Sequence, residues 1–289
     1  MDLVPITEDS ILITNRIDSH QHFWLFDEQR DQWITEDMSV IRKDFLPEDL
    51  APILDVNQIG GCVAVQAVED LSDNDFLLEL ARENDFIKGI VGWLDFTSTS
   101  IEKELEYYSR FSIIKGWRYV LQGNPQRDMM LTDNFRSNIG LLTRYNYTYD
   151  LLLFPDQLGY AAQLVESFPK QKFVLDHIGK PDLKNGDFEN WANGIKALAK
   201  HENVFCKVSG MVTEADWSEW EKADYKSVLD VVTAAFGMDR LMFGSDWPVC
   251  QLAASYYDMK TIVEDYFSKF SQQEKENFFG GNAIRFYNL

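Results

Sequence analysis

Cysteine is scarce in this chain, which holds only Cys62, Cys206 and Cys250. Their number is odd and their spacing fits no metal or redox motif. A disulfide framework is therefore not expected, and each reads as a small buried apolar residue in a reducing compartment. Basic residues are also short, at 27 Lys and Arg against 47 Asp and Glu, giving a formal net charge of -20. A surface of that sign repels phosphate backbones and anionic lipid, so neither nucleic acid nor membrane is expected as a partner; solubility accounts for most of the charges. No apolar run approaches the ~18 residues of a membrane span. The start, Met1-Asp2-Leu3-Val4-Pro5-Ile6, lacks the basic stretch and apolar core of a secretory leader, so a cytoplasmic protein is expected. The glycine-rich phosphate turn that follows the first strand of an open doubly wound sheet is missing too. Proline, glycine and serine are scattered and no repeat or linker divides the chain, so residues 1–289 read as one domain.

What is present is a recurring alternation. Apolar runs of strand character fall at 16–22, 61–68, 87–94, 113–120, 147–153, 172–176, 204–209 and 240–244. Segments with apolar residues at helical spacing lie between them at 73–84, 99–111, 157–168, 188–201 and 222–236. Strand-helix repetition signals a parallel sheet, and eight units suggest closure into a (β/α)8 TIM barrel, an α/β fold that needs about 250 residues. The irregular stretch 26–47 is placed over the barrel mouth. Residues 272–289 read as a closing helix packed by Phe278, Phe279 and Phe286.

In such a barrel, chemistry sits at the carboxyl ends of the strands. The first end carries Asp18-Ser19-His20-Gln21-His22-Phe23-Trp24, and residues i and i+2 of a strand share a face, so His20 and His22 point together with Asp18 behind them. Paired imidazoles can hold a divalent metal or grip a polarised oxygen. The fourth strand ends Lys115-Gly116-Trp117-Arg118, with Gly116 leaving space beneath the guanidinium. The sixth ends Asp176-His177-Ile178-Gly179-Lys180-Pro181, and the eighth Phe243-Gly244-Ser245-Asp246-Trp247-Pro248. Each residue also has a plainer reading: Arg118 as a surface or an ion-paired residue, His177 as a satisfied core histidine, Asp246 as a helix cap or turn residue. Convergence of three of the four histidines, an aspartate and an arginine on one mouth favours a site. His201, the fourth histidine, reads as a surface or capping residue.

Those segments, with Lys207-Val208-Ser209-Gly210-Met211, resemble the signature of the amidohydrolase superfamily, and within it the sugar-lactone hydrolase branch. The resemblance implies a lactonase that opens an aldono-lactone such as L-fucono- or L-rhamnono-lactone to the sugar acid, with Asp246 as general base. His20, His22, His177 and Arg118 would then polarise the carbonyl or hold water or a ring hydroxyl, and Asp18 would orient the histidines from behind. Trp24, Gln66, Trp93 and Trp247 are the substrate-side candidates, with Trp217 and Trp220 as further mouth residues. Arg118 at the fourth strand and the run Asp150 to Phe154 at the fifth depart from the two-metal pattern of the superfamily. The expectation is no required cofactor, or one zinc on His20, His22 and Asp246. A zinc-dependent decarboxylase of an aromatic acid is the alternative reaction on the same barrel, and a non-catalytic sugar-acid-binding barrel the alternative class. The partner implied is a small sugar lactone, and homo-oligomers are compatible with it.

Overall fold

The computed structural model describes residues 15–186 and 188–289; the amino-terminal lead read above for a leader lies outside them. Eight strands, β1 (Ile17–Gln21), β2 (Gly61–Val65), β3 (Ile87–Gly92), β4 (Ile114–Val120), β5 (Thr148–Leu152), β6 (Phe173–Leu175), β7 (Val204–Val208) and β8 (Leu241–Phe243), form one sheet in chain order. Every neighbouring pair is parallel. The sheet closes between its first and last strands. The Ser19 hydroxyl donates to the Phe243 carbonyl at 2.6 Å, the Asp246 amide to His20 at 2.8 Å and the His22 amide to Trp247 at 2.7 Å. These are the eight strands expected from the sequence, trimmed by a few residues at their ends.

Helices α1 (Pro47–Val56), α2 (Leu71–Glu83), α3 (Ile101–Tyr108), α4 (Asp133–Leu142), α5 (Leu158–Ser167), α6 (Glu189–Leu198), α7 (Lys226–Phe236) and α8 (Tyr256–Tyr266) lie along the chain between and after the strands. Their starts follow local chemistry. Pro47 opens α1, where its missing N–H costs nothing. Ser255 and Asp258 exchange reciprocal hydrogen bonds at the start of α8. The expected closing helix is instead broken into α9 (Gln272–Glu276), a wide turn (Asn277–Gly281) and α10 (Asn282–Tyr287). The cause is close approach: the Gly280 backbone lies against the Asn15 carbonyl, leaving no room for a side chain.

Two apolar layers result. The larger joins the outer strand faces to the helices. The smaller fills the lower barrel, where Ile17, Val63, Val65, Val91, Val174 and Met242 meet Ala283, Phe286 and Tyr287 of α10. Burial of a ring such as Phe286 contributes about 2–3 kcal/mol, so α10 acts as an apolar stopper. Above it the interior turns polar, which places the site at the carboxyl ends of the strands. No described helix is long and apolar enough to cross a membrane.

Candidate active site

The β1–β8 seam builds the first half of the site. The Asp18 carboxylate accepts from the Ser245 amide at 2.9 Å and the Ser245 hydroxyl at 2.6 Å, and its closest link to His20 is the backbone amide at 3.2 Å. The expected role behind the imidazoles is thus corrected: Asp18 ties the strand ends together and does not orient the rings. Burial pushes its carboxyl up to about 6 against the pull of Ser245. The seam holds Asp246 in a left-handed conformation, φ 59°, which aspartate tolerates better than most residues. Its Oδ1 lies 3.4 Å from His22 Nε2, 3.8 Å from His20 Nε2 and 4.0 Å from His177 Nε2. Burial would raise the Asp246 carboxyl, but His177, His22 and Lys180 outweigh it and hold it below the ordinary value. Gly244 makes the close approach feasible, since a Cβ there would stand 2.7 Å from His20 Cβ.

His177 enters from the end of β6, where His177, Ile178, Gly179 and Lys180 all have positive φ. That left-handed run turns the imidazole inward. Its Nδ1 is 3.0 Å from the Ser209 hydroxyl. The neighbouring residue is a glycine because a Gly210 Cβ would sit 2.5 Å from His177 Nδ1. Burial drives the His177 imidazole well below its usual value, against the pull of Asp246.

Beneath these groups lies a charged layer. Arg118 donates through Nη1 to Asp176 at 3.1 Å and through Nη2 to the Gln66 carbonyl at 2.6 Å. Lys207, fully buried, donates to Asp150 at 2.5 Å, lies 3.0 Å from His20 Nδ1 and 3.1 Å from Asp176 Oδ1. The Tyr287 hydroxyl reaches up from α10 to Asp150 at 2.8 Å. Burial alone would raise Asp176, but Lys207, His20 and Arg118 together hold it well below the usual carboxylate range. Burial, then Lys207, pushes the His20 imidazole well below its ordinary value. Sequence reading quoted Lys207, Ser209 and Asp150 within strand-end segments but gave them no role, and it missed Tyr287. The available signal was a lone charge inside an apolar strand, Cys206-Lys207-Val208 and Tyr149-Asp150-Leu151, because a charge there must be paired. Space beneath the Arg118 guanidinium is not what Gly116 provides: Thr148 fills the place its side chain would take.

Above the charged layer opens a cavity of about 780 Å³ lined in part by His22, Arg118, His177, Asp246, Gln66 and Gln122. The stretch 26–47 covers one side, contributing Arg30, Asp31, Trp33 and Met38, as expected for a mouth cover. Gln66 is 1% exposed and neither of its amide atoms has a partner; the Gln122 carbonyl oxygen and Arg118 Nε are also buried and unpartnered. Trp24 and Trp247 do not line the cavity. They pack at 5.4 Å and 5.3 Å against Phe45, and Trp24 donates to the Lys43 carbonyl. Trp93 is likewise absent from the lining; its backbone is pinned by the Asn74 amide. Trp217 faces the cavity, whereas Trp220 packs on Tyr225 and donates to Ala253. Rings beside the polar strand ends thus fill space, and the wall aromatics Trp33 and Trp217 come from loops.

The donor types suit a divalent metal. Ligand atoms of His20, His177 and Asp246 all lie within 4.8 Å of one another, so His177 joins the set expected from sequence. His22 Nε2 is 3.2 Å from His20 Nε2. Donors ~2.0–2.2 Å from a common zinc lie no more than about 4.4 Å apart, which the 3.2–4.0 Å contacts among His20, His22, His177 and Asp246 satisfy.

The amidohydrolase family profile matches residues 17–289. An L-fucono-1,5-lactonase of Burkholderia multivorans is 37% identical, covering 95% of this chain and 96% of its own. One of Burkholderia ambifaria is 32% identical and covers 96% and 97%. A crystal structure of a Burkholderia multivorans amidohydrolase with bound zinc has a TM-score of 0.92 at 37% identity, covering 95% and 99%. A barrel with these strand-end residues, matched along nearly its whole length, belongs to the amidohydrolase family.

Proposed function

We propose that this protein hydrolyses a neutral sugar lactone, of the L-fucono-lactone class, to the open sugar acid. One observation carries the reading: the cavity beside Asp246 offers unpartnered amide atoms of Gln66 and Gln122 while its cations are already paired. Arg30 lies 2.7 Å from Asp31, Arg118 3.1 Å from Asp176, and Lys180 2.7 Å from Glu214. Glu69 and Asp70 add further negative charge to the lining. A carboxylated lactone would meet there only cations whose charge a carboxylate already balances, although Arg118 Nε keeps one unpartnered N–H. A polyol ring supplies hydroxyls that both donate to and accept from amides, relieving the cost of leaving buried polar atoms unpaired.

In the reaction the Asp246 carboxylate takes a proton from water as its oxygen attacks the lactone carbonyl. N–H groups of the histidine cluster and Arg118 stabilise the oxyanion. Collapse breaks the ring C–O bond, and Asp246 returns the proton to the departing alkoxide. A divalent metal held by His20, His22, His177 and Asp246 would supply Lewis-acid polarisation of the carbonyl when bound.

The test is initial rate by proton release on a panel of aldono-lactones and carboxylated lactones, each with and without prior chelation. Turnover of a stereochemical subset of neutral lactones is the expected result. Turnover confined to carboxylated lactones would overturn the charge argument. Carbon dioxide release from an aromatic acid, restored by zinc alone, would transfer the assignment to the decarboxylase alternative.

A further inference from the structure

We infer that Gln66 is a specificity-determining residue that reads two hydroxyls on adjacent ring carbons of the substrate, donating to one and accepting from the other. Gln66 directly follows β2, and its main chain is saturated there. Its amide donates to the Val91 carbonyl at 2.8 Å, and its carbonyl accepts from Arg118 Nη2 at 2.6 Å. The next amide, of Ala67, is taken by Asp73 at 2.9 Å. The side chain is not saturated. At 1% exposure it lines the cavity shared by His22, His177 and Asp246, and neither terminal atom has a partner. The other buried glutamines among the described residues are used differently. Gln157 donates to the Leu121 carbonyl at 2.9 Å and accepts from the Phe154 amide at 3.0 Å. Gln171 donates to the Tyr147 carbonyl at 2.8 Å and accepts from the Thr143 hydroxyl at 3.1 Å, and Gln21 donates to Cys62 at 3.3 Å. A buried amide with both ends bare disfavours the free fold, a cost that a ligand removes by pairing them.

Either orientation of the Gln66 amide places one donor beside one acceptor. A carboxylate, ester or ketone oxygen can only accept, so it leaves the amide oxygen facing another lone pair. A hydroxyl does both. Two hydroxyls on neighbouring carbons in a gauche arrangement match the side-by-side atoms of the amide, as the edge of adenine does for a glutamine on DNA. A cis pair on a lactone ring has that arrangement and a trans-diaxial pair does not. Arg118 Nε–H, buried and unpartnered beside the Gln66 carbonyl that the same guanidinium holds, adds a donor to the row. A substrate that lacks one hydroxyl of the pair leaves one end of the Gln66 amide bare in a buried position, and is rejected for that reason.

The kinetic arm of the test rests on the lactone reading of the cavity. Initial rates are measured for a neutral aldono-δ-lactone and for its monodeoxy analogues at each of the three ring carbons that bear hydroxyls. Each is run on the wild type and on Gln66→Met, which keeps the length of the side chain and removes both polar atoms. In the wild type, deleting either of two adjacent hydroxyls should lower kcat/KM by roughly 10- to 100-fold. In Gln66→Met the same two deletions should each change it by less than about three-fold, while the remaining deletion keeps its wild-type ratio. A merely structural glutamine would lower every substrate by one factor; that outcome, or coupling to a single hydroxyl or to two non-adjacent ones, overturns the proposal. If Gln66→Met does not fold, the wild type decides: two adjacent sensitive positions support the assignment, and fewer refute it. Calorimetric titration of the matching polyhydroxy δ-lactam, whose ring amide resists hydrolysis, and of its monodeoxy analogues should show the same two-position pattern in the wild type and its loss in Gln66→Met. That pattern without lactone turnover ends the functional reading and keeps the subsite. Equal affinities across the set, or no binding by a wild type that also opens no lactone, end the subsite.

Discussion

Adding one methyl group at Gly244 should separate the two halves of the site. Its φ is not in the left-handed region, so Gly244→Ala carries no backbone penalty and tests space alone. The new Cβ would stand 2.7 Å from His20 Cβ, 3.0 Å from Ser209 Cβ and 3.3 Å from the His20 amide nitrogen. Ordinary contact begins at 3.4 Å, so His20 must retreat by at least 0.7 Å. It cannot do so freely, because its carbonyl accepts from the Asp246 amide at 2.8 Å. Overpacking of this size costs about 1–3 kcal/mol in stability, and a displacement approaching 1 Å costs up to ~100-fold in rate. The 3.2 Å contact between His20 and His22 would stretch beyond hydrogen-bond length. Urea unfolding and steady-state hydrolysis read the two effects, with Gly140→Ala as control, since a Cβ there meets nothing closer than 3.5 Å. Wild-type kcat together with an unchanged unfolding midpoint in Gly244→Ala would refute the packing argument.

Asp246→Asn keeps the shape of the side chain and removes the base, so kcat should fall by roughly 10³-fold while the unfolding midpoint moves little; retention of full kcat would remove Asp246 from the role. Arg118→Lys preserves charge but loses the planar fork that joins Asp176 to the Gln66 carbonyl. A drop in kcat/KM of at least ~10-fold is expected, and an unchanged value would count against it. Asp73, which accepts from the Ala67 amide beside Gln66, is pushed up to about 6 by burial. A raised carboxyl favours the folded state most at low pH, and that contribution is lost as pH rises through the folded value. Between pH 8 and 5 the wild type should therefore gain about 1.4 kcal/mol relative to Asp73→Asn, and an equal stability gap at both pH values in denaturant titrations would contradict the burial argument.

Much of the frame was legible locally. The apolar runs of Val, Ile, Leu and Phe that made the eight strands are near-continuous because both faces of a parallel barrel are covered. Helices α1, α4 and α8 were not among the segments read from the sequence; in α1 an internal Pro52 interrupts the helical pattern. Site residues at strand ends were legible where a polar group follows an apolar run, as at His20, His177 and Asp246. Aromatic roles were not: Trp24 and Trp247 stand beside those residues in sequence, yet the strand turns them into a cluster with Phe45.

By itself the sequence determined the order of strands, the face shared by His20 and His22, and the polar residues offered at each strand end, because these depend on the two-residue period of a strand and on local apolar patterning. Tertiary structure alone decided that Lys207 meets His20, 187 positions apart, and that Ser245 meets Asp18, 227 positions apart. Those meetings are set by how β1 closes on β8 and by the stagger of strands around the barrel. No local pattern encodes them, since each partner's identity is satisfied only by a charge or hydrogen-bonding group that folding brings from elsewhere in the chain.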